Sequence, residues 1–305
     1  MFPIIPIPLE TIARTLQLFT PFEPDPGRAL LEPGPAAAHT ATRLRLATSP
    51  GWRLTPKNPN GATIVYGHGA GSEKLLPNLP LFEAWLAAGY TVFTYALPGY
   101  DDHPEPLTTE AALRCVRDVL EAIRTQPGVD GDRIGYIGLS LGAALILRVA
   151  PQVPWLKALI LFGTPLRMPA GEWERWQEFF GTFHPASSAV LGDAPSGRCA
   201  ACFLDPVRFA DGAALIVYHP PFSRRIDAIL AELDPLEAAA ALPPIPTRFL
   251  QGEWDALVPP ATTTRIQAAI PGPSEIAWFP RRNHTTLLYD RDAAASSLAW
   301  FDQHL

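Results

Sequence analysis

From residue 62 onward the chain alternates short apolar, β-rich runs with segments of helical periodicity, and few architectures accept that rhythm. The run "ATIVYG" (62–67) ends in glycine and is followed by "LPLFEAWLAAG" (79–89), where Leu81, Trp85 and Leu86 recur at helical spacing. Next come the strand-like "TVFTYALPG" (91–99) and the clearest helix, "TTEAALRCVRDVLEAIRTQPG" (108–128). Its stripe is Ala112, Leu113, Val116, Val119, Leu120 and Ile123, with Thr109 as the expected cap and Pro127-Gly128 as the stop. "RIGYIGLS" (133–140), "LGAALILRVA" (141–150) and "KALILFGTP" (157–165) repeat strand, helix, strand. The pattern returns after residue 240 as "PTRFLQGEW", "ATTTRIQAAI", "SEIAWFP" and "DAAASSLAWFDQHL". Strands this continuously apolar must be covered on both faces. The expected fold class is therefore α/β, a mostly parallel sheet with helices on both sides.

Two stretches fall outside the rhythm. Residues 166–240 hold "GEWERWQEFF", a middle punctuated by Pro and Gly, and "RRIDAILAELDPLEAAAAL", which together read as a mostly helical insertion capping one edge of the sheet. Residues 1–60 read as a short helix, "LETIARTLQLF", followed by an antiparallel hairpin from "ATRLRLAT" and "GWRLTP". The core then comprises 61–165 and 241–305.

Composition removes several classes of function. With 24 basic against 30 acidic residues, a net charge of -6, there is no basic footprint for nucleic acid. No apolar run approaches the ~20 residues of a membrane span. The start, "MFPIIPIP", has no basic residue and is broken by prolines, unlike a secretory leader, so a cytoplasmic location is expected. The content of 3 cysteines agrees with a reducing compartment. Cys199 and Cys202 form an isolated "CAAC"; a zinc site needs further ligands that do not follow, so a loop pair is the reading, with redox chemistry or a disulfide as the alternative. No metal or cofactor is expected.

The chemistry-bearing motif is Gly138-Leu139-Ser140-Leu141-Gly142, a G-x-S-x-G between a strand and a helix. So tight a turn forces the serine into a strained conformation and lifts its hydroxyl above the sheet, while Gly138 and Gly142 avoid collisions with the adjacent strand and helix. The hydroxyl also sits beside the first amides of the next helix, where negative charge is favoured. A serine needs a base oriented by a carboxylate. Asp255, in "LQGEWDALVPP", and His284, in "FPRRNHTTLL", each follow an expected strand, at the sheet end where open α/β folds place their sites. Each alone would pass as a turn aspartate or a loop histidine; the pattern of placement selects Ser140, Asp255 and His284 as the catalytic set. The run "VYGHGAGS" places His68, Gly69, Ala70 and Gly71 after the first strong strand. The amides of Ala70 and Leu141 are the expected oxyanion donors, and His68 braces the loop rather than serving as base. No Gly-Lys-Ser/Thr follows, which excludes a phosphate-binding P-loop.

With "HGAG" at 68–71, "GLSLG" at 138–142, "GEWDALVP" at 252–259 and "NH" at 283–284, the chain resembles the α/β-hydrolase superfamily, specifically capped serine hydrolases similar to carboxylesterases and serine aminopeptidases. The resemblance covers about residues 60–165 and 242–305. It departs at "HGAG", which is not the triple-glycine form, and at the leucines flanking the serine. A serine nucleophile, rather than aspartate or cysteine, argues against dehalogenase, epoxide hydrolase and dienelactone hydrolase chemistry.

The expected activity is hydrolysis of carboxylic esters of short to medium acyl chain, with a small-molecule ester as the partner and the choice between monomer and dimer open. Trp173, Trp176, Phe179 and Phe180 lie on one expected cap helix, where they pack the cap onto the core and one or two, Trp173, Trp176 or Phe180, line an acyl pocket. An aminopeptidase or amidase is the nearest alternative; it needs a cap carboxylate for the substrate amine, for which Glu172, Glu174 and Glu178 are candidates. A thioesterase would want a basic patch for coenzyme A that is not evident. A catalytically silent binding protein would not need the full Ser, Asp and His set.

Overall fold

The computed structural model describes residues 30–70, 79–167, 207–215, 220–284 and 286–305. An eight-stranded sheet runs in the order β1-β2-β4-β3-β5-β6-β9-β10. Its strands are β1 (His39–Leu46), β2 (Ser49–Pro56), β3 (Thr63–Gly67), β4 (Thr91–Tyr95), β5 (Ile134–Leu139), β6 (Ala158–Phe162), β9 (Thr247–Gly252) and β10 (Ser274–Phe279). The expected N-terminal hairpin is present: β1 and β2 pair antiparallel from His39↔Pro56 to Leu46↔Ser49, closed by Ala47 and Thr48. β2 is also antiparallel to β4, and every later pairing is parallel.

Alternation along the strands splits the core into two apolar layers. Val65, Phe93, Tyr95, Tyr136, Leu159, Leu161 and Phe249 face one side of the sheet. Ile64, Tyr66, Val92, Ile137, Ile160, Phe162 and Leu250 face the other. The first side packs against α2 (Thr109–Arg124), α3 (Leu141–Val149), α4 (Pro220–Leu233), α5 (Pro235–Ala240) and α6 (Pro260–Ala269), the second against α1 (Leu79–Ala87) and α7 (Arg291–His304). Helix α3 buries every residue but Arg148, whose guanidinium reaches Glu237 of α5 at 2.7 Å. A helix apolar all round belongs between layers.

Two details differ from expectation. The α2 cap is Thr108, not Thr109: Thr108 holds extended backbone angles and its Oγ1 accepts the Ala111 N–H at 3.1 Å, whereas Thr109 is already the first helical residue. Only a residue outside the helical region can turn its side chain back onto the third N–H. The single run expected after residue 223 divides into α4 and α5 at Asp234, which sits at φ 39 before Pro235. Proline cannot continue α4 but fits the first turn of α5. A short antiparallel pair, β7 (Val207–Arg208) and β8 (Ala214–Leu215), lies in the Pro- and Gly-punctuated middle of the stretch expected to be mostly helical. Among the described residues no helix is long and apolar enough to cross a membrane. The expected helix at "LETIARTLQLF" lies outside the described residues.

Thr108→Ala removes the cap and should lower the unfolding free energy by about 1 kcal/mol, read as a fall in the urea midpoint at constant slope. An unchanged midpoint would show that the cap contributes nothing.

Candidate active site

The chain lays β3 beside β4 on one side and β5 on the other, so the order reverses between β3 and β5. Open α/β sheets bind ligands outside the strand C-termini at such a reversal. His68–Ala70 follow β3, Ser140 follows β5, Gly163 follows β6, Asp255 follows β9 and His284 follows β10. These strands are consecutive neighbours in the sheet, so all five segments share one rim.

Ser140 lies between a fully buried strand and a buried helix, yet is itself partly exposed. Its backbone is at φ 50, ψ -112, a region that costs a non-glycine residue about 1–3 kcal/mol. The turn is held on both sides. The Ser140 N–H donates to the Phe162 carbonyl at 2.8 Å, and the Ser140 carbonyl accepts from Ala143 and Ala144 at 3.0 and 3.1 Å. A Cβ on Gly138 would lie 2.6 Å from the Ala143 nitrogen, and one on Gly142 would lie 2.7 Å from the His68 carbonyl oxygen. Both glycines are thus fixed by close approach of helix and strand. Leu141 opens α3, where an N–H has no partner within the helix.

Asp255 is 2 % exposed. Its Oδ1 accepts the Val258 N–H at 2.7 Å and its Oδ2 meets His284 Nδ1 at 2.8 Å. A carboxylate only accepts, so the proton of a neutral His284 ring resides on Nδ1 and Nε2 keeps a free lone pair. The loop carrying the ring is pinned locally. Asn283 Oδ1 accepts from the Thr286 N–H and hydroxyl, at 2.8 and 3.0 Å, and the Asn283 N–H donates to Thr286 Oγ1 at 2.9 Å. The Arg282 carbonyl accepts the Trp254 N–H at 2.9 Å, and the Arg282 guanidinium pairs with buried Asp290, the cap of α7.

Gly163 joins the two halves. A Cβ there would lie 2.6 Å from His284 Cε1 and 2.8 Å from Nδ1, so the imidazole rests on the glycine backbone. One residue earlier, the Phe162 carbonyl holds the Ser140 N–H. The turn of Ser140 and the ring of His284 are therefore seated on successive residues, Phe162 and Gly163, at the tip of β6.

His68 is fully buried. Leu97 N–H, which only donates, meets His68 Nε2 at 3.0 Å, so the ring proton is on Nδ1 and is donated to the Gly69 carbonyl at 2.8 Å. Both ring nitrogens are occupied by backbone, in keeping with a bracing part. Gly69 lies against the Ser140 turn: a Cβ on it would be 3.2 Å from Ser140 Cβ. Gly71, the candidate pocket residues Trp173, Trp176, Phe179 and Phe180, the glutamates 172, 174 and 178, and Cys199 with Cys202 lie outside the described residues. Sequence reasoning singled out "NH" at 283–284 but missed Gly163 and Thr286; the one available signal was the glycine ending the run "ALILFG", in the place the other site strands end.

The chain belongs to the alpha/beta hydrolase family, whose model it matches over residues 64–296. It is 27% identical over 184 residues to NocK of Nocardia uniformis subsp. tsuyamanensis, a protein whose name assigns it as an esterase. That match takes in 56% of this chain and 52% of NocK, so the chain spans about half the length of the relative it matches. Among solved structures it is similar to DcsB, described in complex with a substrate analogue, at TM-score 0.64 and 16% identity over 88% of this chain and 100% of DcsB. It is likewise similar to the alpha/beta hydrolase GrgF from a Penicillium species, at TM-score 0.63 and 14% identity over 88% of this chain and 99% of GrgF. At these identities the structural likeness speaks for the fold alone.

If His284 is a catalytic base, Gly163→Ala should push the imidazole off its seat and cut hydrolytic turnover by about 100-fold, since a displacement of ~1 Å can cost that much. Steady-state kinetics at wild-type rate would show that the ring does not depend on this contact.

Proposed function

We propose that this chain is a serine hydrolase that cleaves carboxylic esters of short to medium acyl chain through an acyl-enzyme intermediate. The observation that carries the reading is the Asp255–His284 bond at Nδ1. It leaves Nε2 as a base on a ring seated against Gly163, one residue beyond the Phe162 carbonyl that holds the strained, partly exposed turn of Ser140. His284 Nε2 takes the Ser140 hydroxyl proton as Oγ attacks the ester carbonyl. The Ala70 and Leu141 amides receive the oxyanion, where loss of one donor typically costs about 2.7–4 kcal/mol of barrier. His284 then protonates the departing alcohol. Water, activated by the same nitrogen, releases the acid and restores Ser140. Asp255 stays ionised and stabilises the imidazolium. No step calls on a cofactor.

The esterase name of NocK supports the choice of ester over amide or thioester. In this reading residues 166–240, inserted between the core segments 61–165 and 241–305, carry a cap that selects the acyl group, while α4 and α5 at the end of the insertion pack into the helical layer on the first side of the sheet. A cytoplasmic location accompanies it, on the low cysteine content of the chain.

The test is a panel of p-nitrophenyl esters from acetate to octanoate, with a thioester and an aminoacyl-anilide, on wild type and Ser140→Ala. Ester turnover should peak within the short to medium chains and fall at least ~10³-fold in the variant, because the three groups act as a unit. A flat chain-length profile would contradict the acyl preference. Anilide or thioester turnover without ester turnover would contradict the substrate class, and an active variant would contradict the nucleophile.

A further inference from the structure

The segment Gly69-Ala70 is short, small-sided and followed by another glycine, so its backbone has little of its own to fix its direction. Two side chains fix it instead. His68 Nδ1–H holds the Gly69 carbonyl at 2.8 Å. In a trans peptide the C=O and the following N–H point opposite ways, so this bond turns the Ala70 N–H away from the imidazole. The next carbonyl along, that of Ala70, accepts the Tyr100 hydroxyl at 2.6 Å. The Tyr100 ring also packs edge-on against the His68 ring, with centroids 4.7 Å apart. The Ala70 N–H thus lies between two carbonyls that are each tied down, one by His68 and one by Tyr100.

We propose that Tyr100 is a positioning residue for the oxyanion site: its hydroxyl on the Ala70 carbonyl and its ring on His68 hold the Ala70 N–H toward the charge that develops beside Ser140. The inference rests on the serine-hydrolase reading above and adds a residue to it. Tyr100 is itself well anchored. Its N–H donates to the Leu97 carbonyl and its carbonyl accepts from His103, both at 3.1 Å. Its neighbour Gly99 donates to Glu105 at 2.7 Å and accepts from the Arg208 N–H of β7 at 3.0 Å. Leu107 closes the loop by donating to the Arg208 carbonyl at 2.7 Å. The tyrosine therefore stands on a loop bolted to the β7–β8 pair, which belongs to the insertion. Burial drives the phenol far above its ordinary range, so it remains a donor at any working pH.

Tyr100→Phe keeps the ring and removes only the hydroxyl. On p-nitrophenyl butyrate, kcat should fall about tenfold, as for loss of one hydrogen bond, with KM within about twofold of wild type. Affinity for an alkyl trifluoromethyl ketone, whose adduct with Ser140 carries the oxyanion, should weaken by the same factor as kcat, because both report that charge. Wild-type kcat and ketone affinity in the variant would overturn the proposal. So would a loss confined to KM or to the melting temperature, which would make Tyr100 a packing residue only. Ser140→Ala run alongside separates the two failures. If wild-type turnover depends on Ser140 while Tyr100→Phe is silent, only the positioning fails. If wild type shows no Ser140-dependent turnover, the serine-hydrolase reading fails and this one with it.

Discussion

The conformation at Ser140 is unfavourable by itself, and the rest of the core is what keeps it in place. A residue at φ 50, ψ -112 would relax if either flank could move. Neither can. Strand β5 is paired on both edges, to β3 and β6, and buried on both faces. Helix α3 begins one residue later and is wedged between the sheet and the helices around it. The chain must pass from the sheet plane into that helix within a single residue, and close backbone approach at Gly138 and Gly142 leaves no wider path. Two large apolar layers supply the energy that the strained turn consumes.

Proton placement around this turn follows from which partners can play only one role. His68 faces an obligate donor, the Leu97 N–H; His284 faces an obligate acceptor, the Asp255 carboxylate. Both rings therefore carry their proton on Nδ1, but with opposite outcomes. In His68 the protonated nitrogen is spent on the Gly69 carbonyl and the other on Leu97, which leaves a structural ring. In His284 the carboxylate takes Nδ1 and Nε2 remains available for chemistry. The same residue type becomes a brace or a candidate base according to whether its partner gives or takes.

The sheet, its faces and the placement of the site segments were legible in the sequence because they depend on local periodicity. Near-continuous apolar runs such as "IGYIGL" read as strands buried on both sides, and Ser140 directly follows that one, while Asp255 and His284 lie in the loops after β9 and β10. Local ambiguity limited the finer points: with Thr108 and Thr109 adjacent, composition does not say which one stays outside the helix. Features formed by distant segments were not legible. The β7–β8 pair is two residues a side and is stabilised partly by the bridge between Phe209 and Leu107, far away in the chain. Gly163 reads as an ordinary strand-end glycine until the loop after β10 brings an imidazole onto it. Tyr100 likewise has no pattern that announces a contact with Ala70.

The account stands or falls on whether His284 activates Ser140, and covalent trapping reads that directly. Incubation with a fluorophosphonate, followed by peptide mapping by mass spectrometry, should give one adduct per chain, on Ser140, with labelling strongly slowed in His284→Ala. No adduct, an adduct on another residue, or labelling of Ser140 at an undiminished rate without the imidazole would contradict it.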